Sequence, residues 1–407
     1  MFLIPSHQKR PSDDPIFALN QEAVERSNKG ESIVNATVGA LLSDDGTLAI
    51  LPTMTKLIAE VPATEWATYA PISGSGPFLK AVMDDLLGTS KPLRAAAVAV
   101  ATPGGSGALR HAIGNYLERG DALLTTSYFW GPYQTLADEA DRRVETFRMF
   151  DDQGALDVGA LDEKLATLLA TQKRVLLFLN DPCQNPTGYS MSKRDWERTR
   201  EVILRHAATG PITVLLDIAY SEYAAGSGEG GPSAQLLLQE IEPLIGKVAL
   251  LFAWTASKSF THYGLRVGAL VAVIGDEAER KATENALSYS SRGTWSNCNR
   301  GGMYAVMKAL TDPTAKAACI AERKSLQELL QRRVDAFNRA AREVGLSYPR
   351  YEGGFFVTVF PKGNAQEKAK SMRDQGVYVV PTQGALRVGL CSVAEKDVPR
   401  LVASLVE

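Results

Sequence analysis

The stretch "WTASKSFTHYGLRVG" (254–268) holds one lysine, Lys258, among small hydroxyl residues, and one arginine, Arg266, eight positions later. A lysine in a polar loop is ordinarily a solvated surface charge. This one follows the apolar run "KVALLFAW" (247–254), which reads as a buried strand. Ligands of open α/β sheets bind beyond the carboxyl ends of the strands, so the residues after each apolar run carry the chemical question. After "AAAVAVAT" (95–102) come Gly104, Gly105, Ser106 and Gly107, a small-residue turn opening a helix. Free N–H groups and the helix dipole there favour an anion, although the same glycines also make a plain turn. They do not form the GxGxxG fingerprint of dinucleotide sites. After "DALLTTSYF" comes Trp130, either a core ring or a platform for a flat ligand. After "KRVLLFLN" comes "DPCQNPTGYS", where Asn185 either caps the next helix or offers its amide to a ligand oxygen. In "ITVLLDIAYSEY" Asp217 interrupts an apolar run, and Tyr220 lies three residues on. A buried carboxylate needs a cation or a donor.

Each bland reading is respectable singly. Together, five strand ends offer an anion nest, a flat platform, an amide donor, a carboxylate and a lysine. That set suits a phosphorylated aromatic cofactor with a basic ring nitrogen and an aldehyde, pyridoxal 5′-phosphate, with Lys258 as the Schiff-base amine.

The elements that must position these residues follow from the apolar pattern. Runs at 95–102, 121–130, 144–150, 173–181, 212–220, 247–254 and 268–275 read as strands, and "ALRHAIGNYLERG" and 193–210 as helices among them. Nearly continuous apolar strands covered by helices predict an α/β domain with a mostly parallel sheet. The connection from 254 to 268 is too short for a helical crossover, so one strand is expected to run antiparallel. Beyond about residue 300 the texture changes to a long helix over 316–345 and short strand runs at 353–360, 377–381 and 385–390. These predict a small α+β lobe, with the stretch before residue 45 packing against it.

Bulk properties agree. The 407 residues are 45% hydrophobic and 22% charged, ordinary for a globular chain of two domains, or one large domain with a smaller lobe. A net charge of −2 provides no global basic field for nucleic acid or an anionic membrane. Cys183, Cys298, Cys319 and Cys391 are scattered without a CxxC pair and read as reduced thiols. His7, His111, His206 and His262 form no metal-ligand cluster, so no metal is expected. The start "MFLIPSHQKRPSDD" has no signal-peptide core, and no run approaches the roughly 20 apolar residues of a membrane span. A cytoplasmic location is expected.

Read in order, "DPIFAL" (14–19), "VNATVGALLSDDG", "YAPISG", "GGSGALR", "NPTG", "LLDIAY", "SKSFTHYGLRVG" and "LRVGL" resemble the class I/II aminotransferases of fold type I, nearest the aspartate/aromatic group. The resemblance covers nearly the whole chain. It implies a three-layer large domain with a seven-stranded, mostly parallel sheet over 46–305, and a small α+β domain from 1–45 and 306–407. It implies a ping-pong aminotransferase, with Lys258 shuttling a proton between the substrate α-carbon and cofactor C4′. Asp217 is then the partner of the pyridine nitrogen, and Asn185 and Tyr220 partners of the ring 3-oxygen. Trp130 stacks on the ring; Gly105, Ser106, Thr255, Ser257 and Arg266 hold the phosphate, joined by Tyr69 from the neighbouring subunit of a homodimer.

Arg387, in "ALRVGL", is implied to clamp the substrate α-carboxylate bidentately. Arg292, in "SRGTWSN", falls where aspartate-type enzymes place a second arginine from the other subunit, which favours dicarboxylic substrates without excluding aromatic ones. Trp130, Asn185 and Thr37 complete the implied substrate contacts.

Four departures bear on substrate identity. Thr37 replaces a glycine and is expected to narrow or redirect the pocket. Gly104 stands where a serine often donates to the phosphate. Tyr133 takes the place of a histidine behind the pyridine-contacting aspartate. Asn180-Asp181 precede the NPTG turn in an unusual form. A lyase or decarboxylase outcome uses the same cofactor residues, and a non-catalytic sensor would carry an added basic DNA-binding module that is not seen in this chain. No role is assigned to His262 or Tyr263.

Overall fold

The structure, a computed structural model, describes residues 2–8, 10–11, 15–225 and 232–406. Asp14, where the family resemblance begins, lies outside them. The strands in chain order are β1 (Val34–Asn35), β2 (Ala97–Thr102), β3 (Ala122–Thr126), β4 (Arg143–Phe147), β5 (Val175–Asn180) and β6 (Ile212–Asp217). They continue with β7 (Ala249–Thr255), β8 (Gly268–Val273), β9 (Phe356–Val359), β10 (Val377–Tyr378), β11 (Val380–Thr382) and β12 (Ala385–Gly389).

Seven of them form one sheet in the order β2-β8-β7-β6-β5-β3-β4. β8 is antiparallel to both neighbours and every other pair is parallel, as the short 254–268 connection predicts. The central strands are buried along their whole length because helices cover both faces. Leu177, Leu179, Val214, Leu216 and Phe252 pack on one face with Leu161, Leu165, Trp196 and Ile203 from the helices Val158–Gln172 and Lys193–Ala207. Their alternates Leu176, Phe178, Leu215, Leu251 and Ala253 pack on the other with Ala108, Ala112 and Ile113 of the helix Gly104–Tyr116. The strand period of two thus splits each run between two cores.

A separate core gathers Val34, Val334, Phe337, Val357, Val377, Leu386 and Val388. The N-terminal stretch joins it through β1, which pairs parallel with β10, Val34 opposite Val377. The three-stranded sheet β11-β12-β9 completes this part. The long helix Pro313–Glu343 gives Cys319 to the large-sheet core and Leu330, Val334 and Phe337 to this one.

Several boundaries differ from the sequence reading. The long helix starts at Pro313 rather than 316 because Asp312 caps it, accepting from the Thr314 and Ala315 N–H groups at 3.0 and 2.9 Å. The run 377–381 is two strands, not one. The chain leaves β1 at Tyr378 and re-pairs with β12 from Val380, so its two ends serve different sheets. Pro381 is tolerated because β11 is an edge strand. The strand expected to reach Trp130 stops at Thr126, which frees Tyr128–Trp130 as a loop over the sheet end.

Candidate active site

At the end of β2 the helix begins at Gly104 itself, so the glycines are its first turn and not a turn before it. First-turn N–H groups have no intrahelical acceptor. Gly105 and Ser106 face a cavity of about 440 Å³. Thr255 and Ser257 line it from the end of β7, the Thr255 hydroxyl donating to Ser257 Oγ at 3.1 Å. Arg266, in the left-handed region at φ 54°, turns its guanidinium back to the same place. There it donates to Ser257 Oγ at 3.3 Å and to the carbonyls of Tyr263 and Pro103 at 3.1 and 3.2 Å. Gly104 has φ +72°, and a Cβ on it would lie 2.5 Å from Arg266 Nη2. The position where a serine was expected to be missed is therefore space that the guanidinium uses.

At the end of β6, Asp217 is buried in the same cavity. Tyr133, itself fully buried, donates its phenol to Asp217 Oδ2 at 2.7 Å. The Ala219 N–H reaches Oδ1 at 3.3 Å. Asn180 ties the two strand ends together, its amide donating to the Asp217 carbonyl and its Oδ1 accepting from the Asn185 N–H, both at 2.6 Å. This explains the unusual Asn180-Asp181 pair. Asp181 points the other way, accepting from Met191 N–H and Trp196 Nε1, and its burial pushes its pKa up to about 7. Burial also raises the Asp217 pKa, offset by the Tyr133 bond, the Ala219 N–H and the charge of Lys258. A cationic ring nitrogen opposite this carboxylate would reverse the shift.

Lys258 lies between these two ends. Burial lowers its pKa to about 8. Its amine donates to the Gly39 carbonyl at 2.5 Å and sits 4.6 Å from the centre of the Tyr263 ring. Asn185 donates to Tyr220 Oη at 3.2 Å, while Asn185 Oδ1 is buried with no partner. Amide orientation is set by such networks. A buried acceptor unmatched by protein is what a ligand donor would satisfy, and the second N–H of the same amide is left for a ligand oxygen. Trp130 lines the cavity and packs edge-on to Tyr133, ring centres 5.8 Å apart.

The predicted residues Gly105, Ser106, Trp130, Asn185, Asp217, Tyr220, Thr255, Ser257, Lys258, Arg266 and Arg387 thus converge on one cavity. Its donor set fits the expected cofactor: N–H groups, hydroxyls and a guanidinium at one end, a carboxylate at the other, an amine between. Three predicted residues are not part of this wall. Tyr69 is 86% exposed and Arg292 is exposed on the helix Glu277–Thr294, both outside the cavity of their own chain.

Thr37 needs a correction. Its side chain does not narrow the pocket; it is fully buried and donates to Asn35 Oδ1 at 2.7 Å. Its carbonyl is what matters, accepting from Arg387 Nη2 at 2.7 Å. Arg387 is buried on β12 with its guanidinium 4.7 Å from the Phe356 ring centre.

Sequence reasoning missed Gly39, Phe356, Tyr263 and the helix Pro15–Asn28, whose Ile16, Phe17 and Asn20 form part of the wall. Tyr263 gains a place: its ring faces Lys258 and its oxygen accepts from the Leu41 N–H at 3.0 Å. His262 is turned away, bonding the Phe260 carbonyl at 2.7 Å and Thr55 Oγ1 at 3.1 Å. The only local signal was the aromatic beside the lysine loop.

Residues 31–405 match the family model for aminotransferase class I and II. The aromatic-amino-acid aminotransferase of Paracoccus denitrificans is 25% identical, with 98% of each chain covered. The solved structure of an aminotransferase from Anaerococcus prevotii is 31% identical and superposes with a TM-score of 0.94, covering 100% of this chain and 98% of that one. The aromatic-amino-acid aminotransferase of Burkholderia pseudomallei, solved covalently bound to pyridoxal phosphate, shares the fold at 21% identity, with a TM-score of 0.81 and 98% of each chain covered. A family match over nearly the whole chain, on this sheet and with this cavity at its strand ends, places the chain among the class I and II aminotransferases.

Proposed function

We propose that the chain is a pyridoxal 5′-phosphate-dependent aminotransferase that moves the amino group of an L-amino acid to a 2-oxo acid in a ping-pong cycle. The observation that carries this reading is Lys258, a buried amine with a lowered pKa that shares one cavity with Asp217, Arg387 and the glycine-serine helix end.

When bound, the cofactor supplies an aldehyde that takes up amines and a ring that draws electrons from the substrate α-carbon. The chain's residues do the rest. Gly105, Ser106, Thr255, Ser257 and Arg266 hold the phosphate dianion, the arginine by charge-assisted bonds. Asp217 keeps a proton on the pyridine nitrogen, and Tyr133 keeps Asp217 oriented for it. Asn185 and Tyr220 bond the ring oxygen, and Trp130 covers the ring face. Arg387 fixes the substrate α-carboxylate. Lys258 Nζ, its pKa lowered to about 8 by burial, accepts the α-carbon proton in its neutral form.

The donor is aspartate, glutamate or an aromatic amino acid, and the acceptor a 2-oxo acid such as 2-oxoglutarate. Aromatic walls at Trp130 and Phe356 favour flat side chains; Arg292, in its "RGTWSN" setting, favours a distal carboxylate. Since Tyr69 and Arg292 are exposed and outside their own cavity, we assign them to the partner's site in a homodimer. Residues 46–305 are assigned to the cofactor-binding domain, and 1–45 with 306–407 to the smaller one. No helix among the described residues is long and apolar enough to cross a membrane, and the assigned location is the cytoplasm.

The test is a half-reaction. Loaded protein mixed with an L-amino acid alone should change its cofactor absorbance and release one equivalent of 2-oxo acid, and 2-oxoglutarate should restore the spectrum. Ammonia or carbon dioxide release without that change would make it a lyase or decarboxylase.

A further inference from the structure

Lys258 and Tyr220 belong to different segments, yet Lys258 Nζ lies 5.6 Å from the centre of the Tyr220 ring. Both segments are gripped from outside the cavity by the helix Pro313–Glu343. Arg323 and Gln327, four residues apart and so on one face of that helix, reach the turn Ser221–Tyr223, which follows Tyr220 directly. Arg323 donates from Nη1 to Glu222 Oε2 at 2.9 Å, and Gln327 donates from Nε2 to the Glu222 carbonyl at 2.5 Å. The same Arg323 guanidinium donates from Nε to the carbonyl of Ser259, one residue past the lysine, at 2.8 Å. The Arg323 side chain is 11% exposed, packs 5.2 Å from the Phe260 ring centre and does not line the cavity. The lysine loop needs such holds. Thr261 in it is β-branched at φ 54°, a strained conformation that persists only where the surroundings fix it. Its hydroxyl accepts from the Leu51 N–H at 3.0 Å, and Tyr223 Oη donates to the Lys258 carbonyl at 3.3 Å.

We propose that Arg323 is a positioning residue that sets Lys258 against Tyr220 by bridging the two segments that carry them. One planar fork makes the bridge. Its Nε and Nη1 hold a carbonyl and a carboxylate at a fixed separation, which the single ammonium of a lysine does not reproduce. A shift of about 1 Å between an amine and the atom it attacks can cost about 100-fold in rate. A group that never touches the cofactor thus governs how fast Lys258 reacts with it. The inference rests on Lys258 and Tyr220 facing the cofactor, and on nothing further in the transamination reading.

The experiment uses the full-length protein, empty and cofactor-loaded. Arg323→Lys keeps a charge for Glu222 and loses the fork; Glu222→Gln, of nearly the same size, weakens the bridge from its other end. In the empty protein, stopped-flow absorbance should show covalent capture of pyridoxal 5′-phosphate slowed about 10- to 100-fold by Arg323→Lys. Glu222→Gln should slow it about two- to tenfold, the worth of one hydrogen bond. Affinity for pyridoxamine 5′-phosphate, which fills the same site without bonding to the lysine, should not change. In the loaded protein kcat should fall with the capture rate while KM stays within about twofold, a split that a general folding defect would not produce. The proposal is overturned if Arg323→Lys captures the aldehyde at the wild-type rate, or if its affinity for pyridoxamine 5′-phosphate falls as far as its capture rate. Should Arg323→Lys not fold, Glu222→Gln decides by the same two criteria. Slowed capture by the variants of a protein that proves unable to transfer amino groups would support this inference and count against the aminotransferase reading. A wild type that captures no aldehyde overturns both.

Discussion

Tyr133 donates its phenol to Asp217 Oδ2 at 2.7 Å from a position with no solvent exposure. Burial and the neighbouring carboxylate hold the Tyr133 pKa well above its ordinary value. The phenol is therefore a donor at every working pH. A histidine in its place titrates near neutrality.

Replacing Tyr133 tests this. Tyr133→Phe leaves Asp217 one bond short, so cofactor affinity should fall about 5- to 100-fold, the cost of a lost bond to a buried charged group. Tyr133→His should restore part of the affinity and add, between about pH 5 and 8, a pH dependence that neither the wild type nor Tyr133→Phe shows. Fluorescence titration of apo protein with cofactor across that range measures both.

Asp217 also makes the empty site pH-dependent. Its folded pKa lies above the unfolded value because of burial. The sign is that of a raised carboxyl: its stability contribution is whole below the unfolded pKa and is lost as pH rises through the folded one. Without cofactor, Asp217→Asn should therefore gain in melting temperature over the wild type as pH rises above about 4. With cofactor bound the order should invert, because the ring cation favours the carboxylate. Melting curves of both proteins, loaded and empty, give the comparison.

The Lys258 pKa, lowered to about 8 by burial, predicts how the amine captures an aldehyde. Only the neutral amine attacks, so the rate of covalent cofactor loading should rise about tenfold per pH unit below 8 and level off above it. Stopped-flow absorbance on apo protein would show an inflection near 10 instead if burial did not act on this group.

At the phosphate end, Gly104→Ser places a Cβ 2.5 Å from Arg266 Nη2 on a backbone with φ +72°. The guanidinium must move. Affinity for the phosphorylated cofactor should drop about 10- to 100-fold, the worth of charge-assisted bonds to the phosphate. Affinity for unphosphorylated pyridoxal should change little, and parallel titrations with the two compounds separate the effects.

Much of this site was legible because an apolar strand and the polar residue at its end are adjacent in the chain. Asp217 ends such a run, and Lys258 and Asn185 lie three and five residues beyond theirs. Tyr133 was legible as a departure, and its bond to Asp217 shows that the phenol does serve as the donor. What stayed hidden reaches the site across the sequence. Gly39 meets Lys258 over 219 residues, and Thr37 meets Arg387 over 350. No local pattern marks a carbonyl that accepts from so far away. Thr37 misled because its residue type drew attention to a side chain that faces inward, while its backbone does the binding.

Arg292→Ala separates the two substrate classes. Turnover of aspartate should fall about 100-fold or more, as for removal of one partner of a buried charge pair, with phenylalanine within a few-fold of wild type. Equal loss for both would argue that Arg292 serves the fold and not a distal carboxylate.

The most direct test of the whole account follows nitrogen. L-phenylalanine and L-aspartate labelled with nitrogen-15 are each supplied with 2-oxoglutarate to the cofactor-loaded wild type and to Lys258→Ala. The account predicts that the label appears in glutamate with the wild type, for at least one donor, and that the variant transfers at background rates. Label recovered as ammonium with no labelled glutamate, or undiminished transfer by Lys258→Ala, would contradict it.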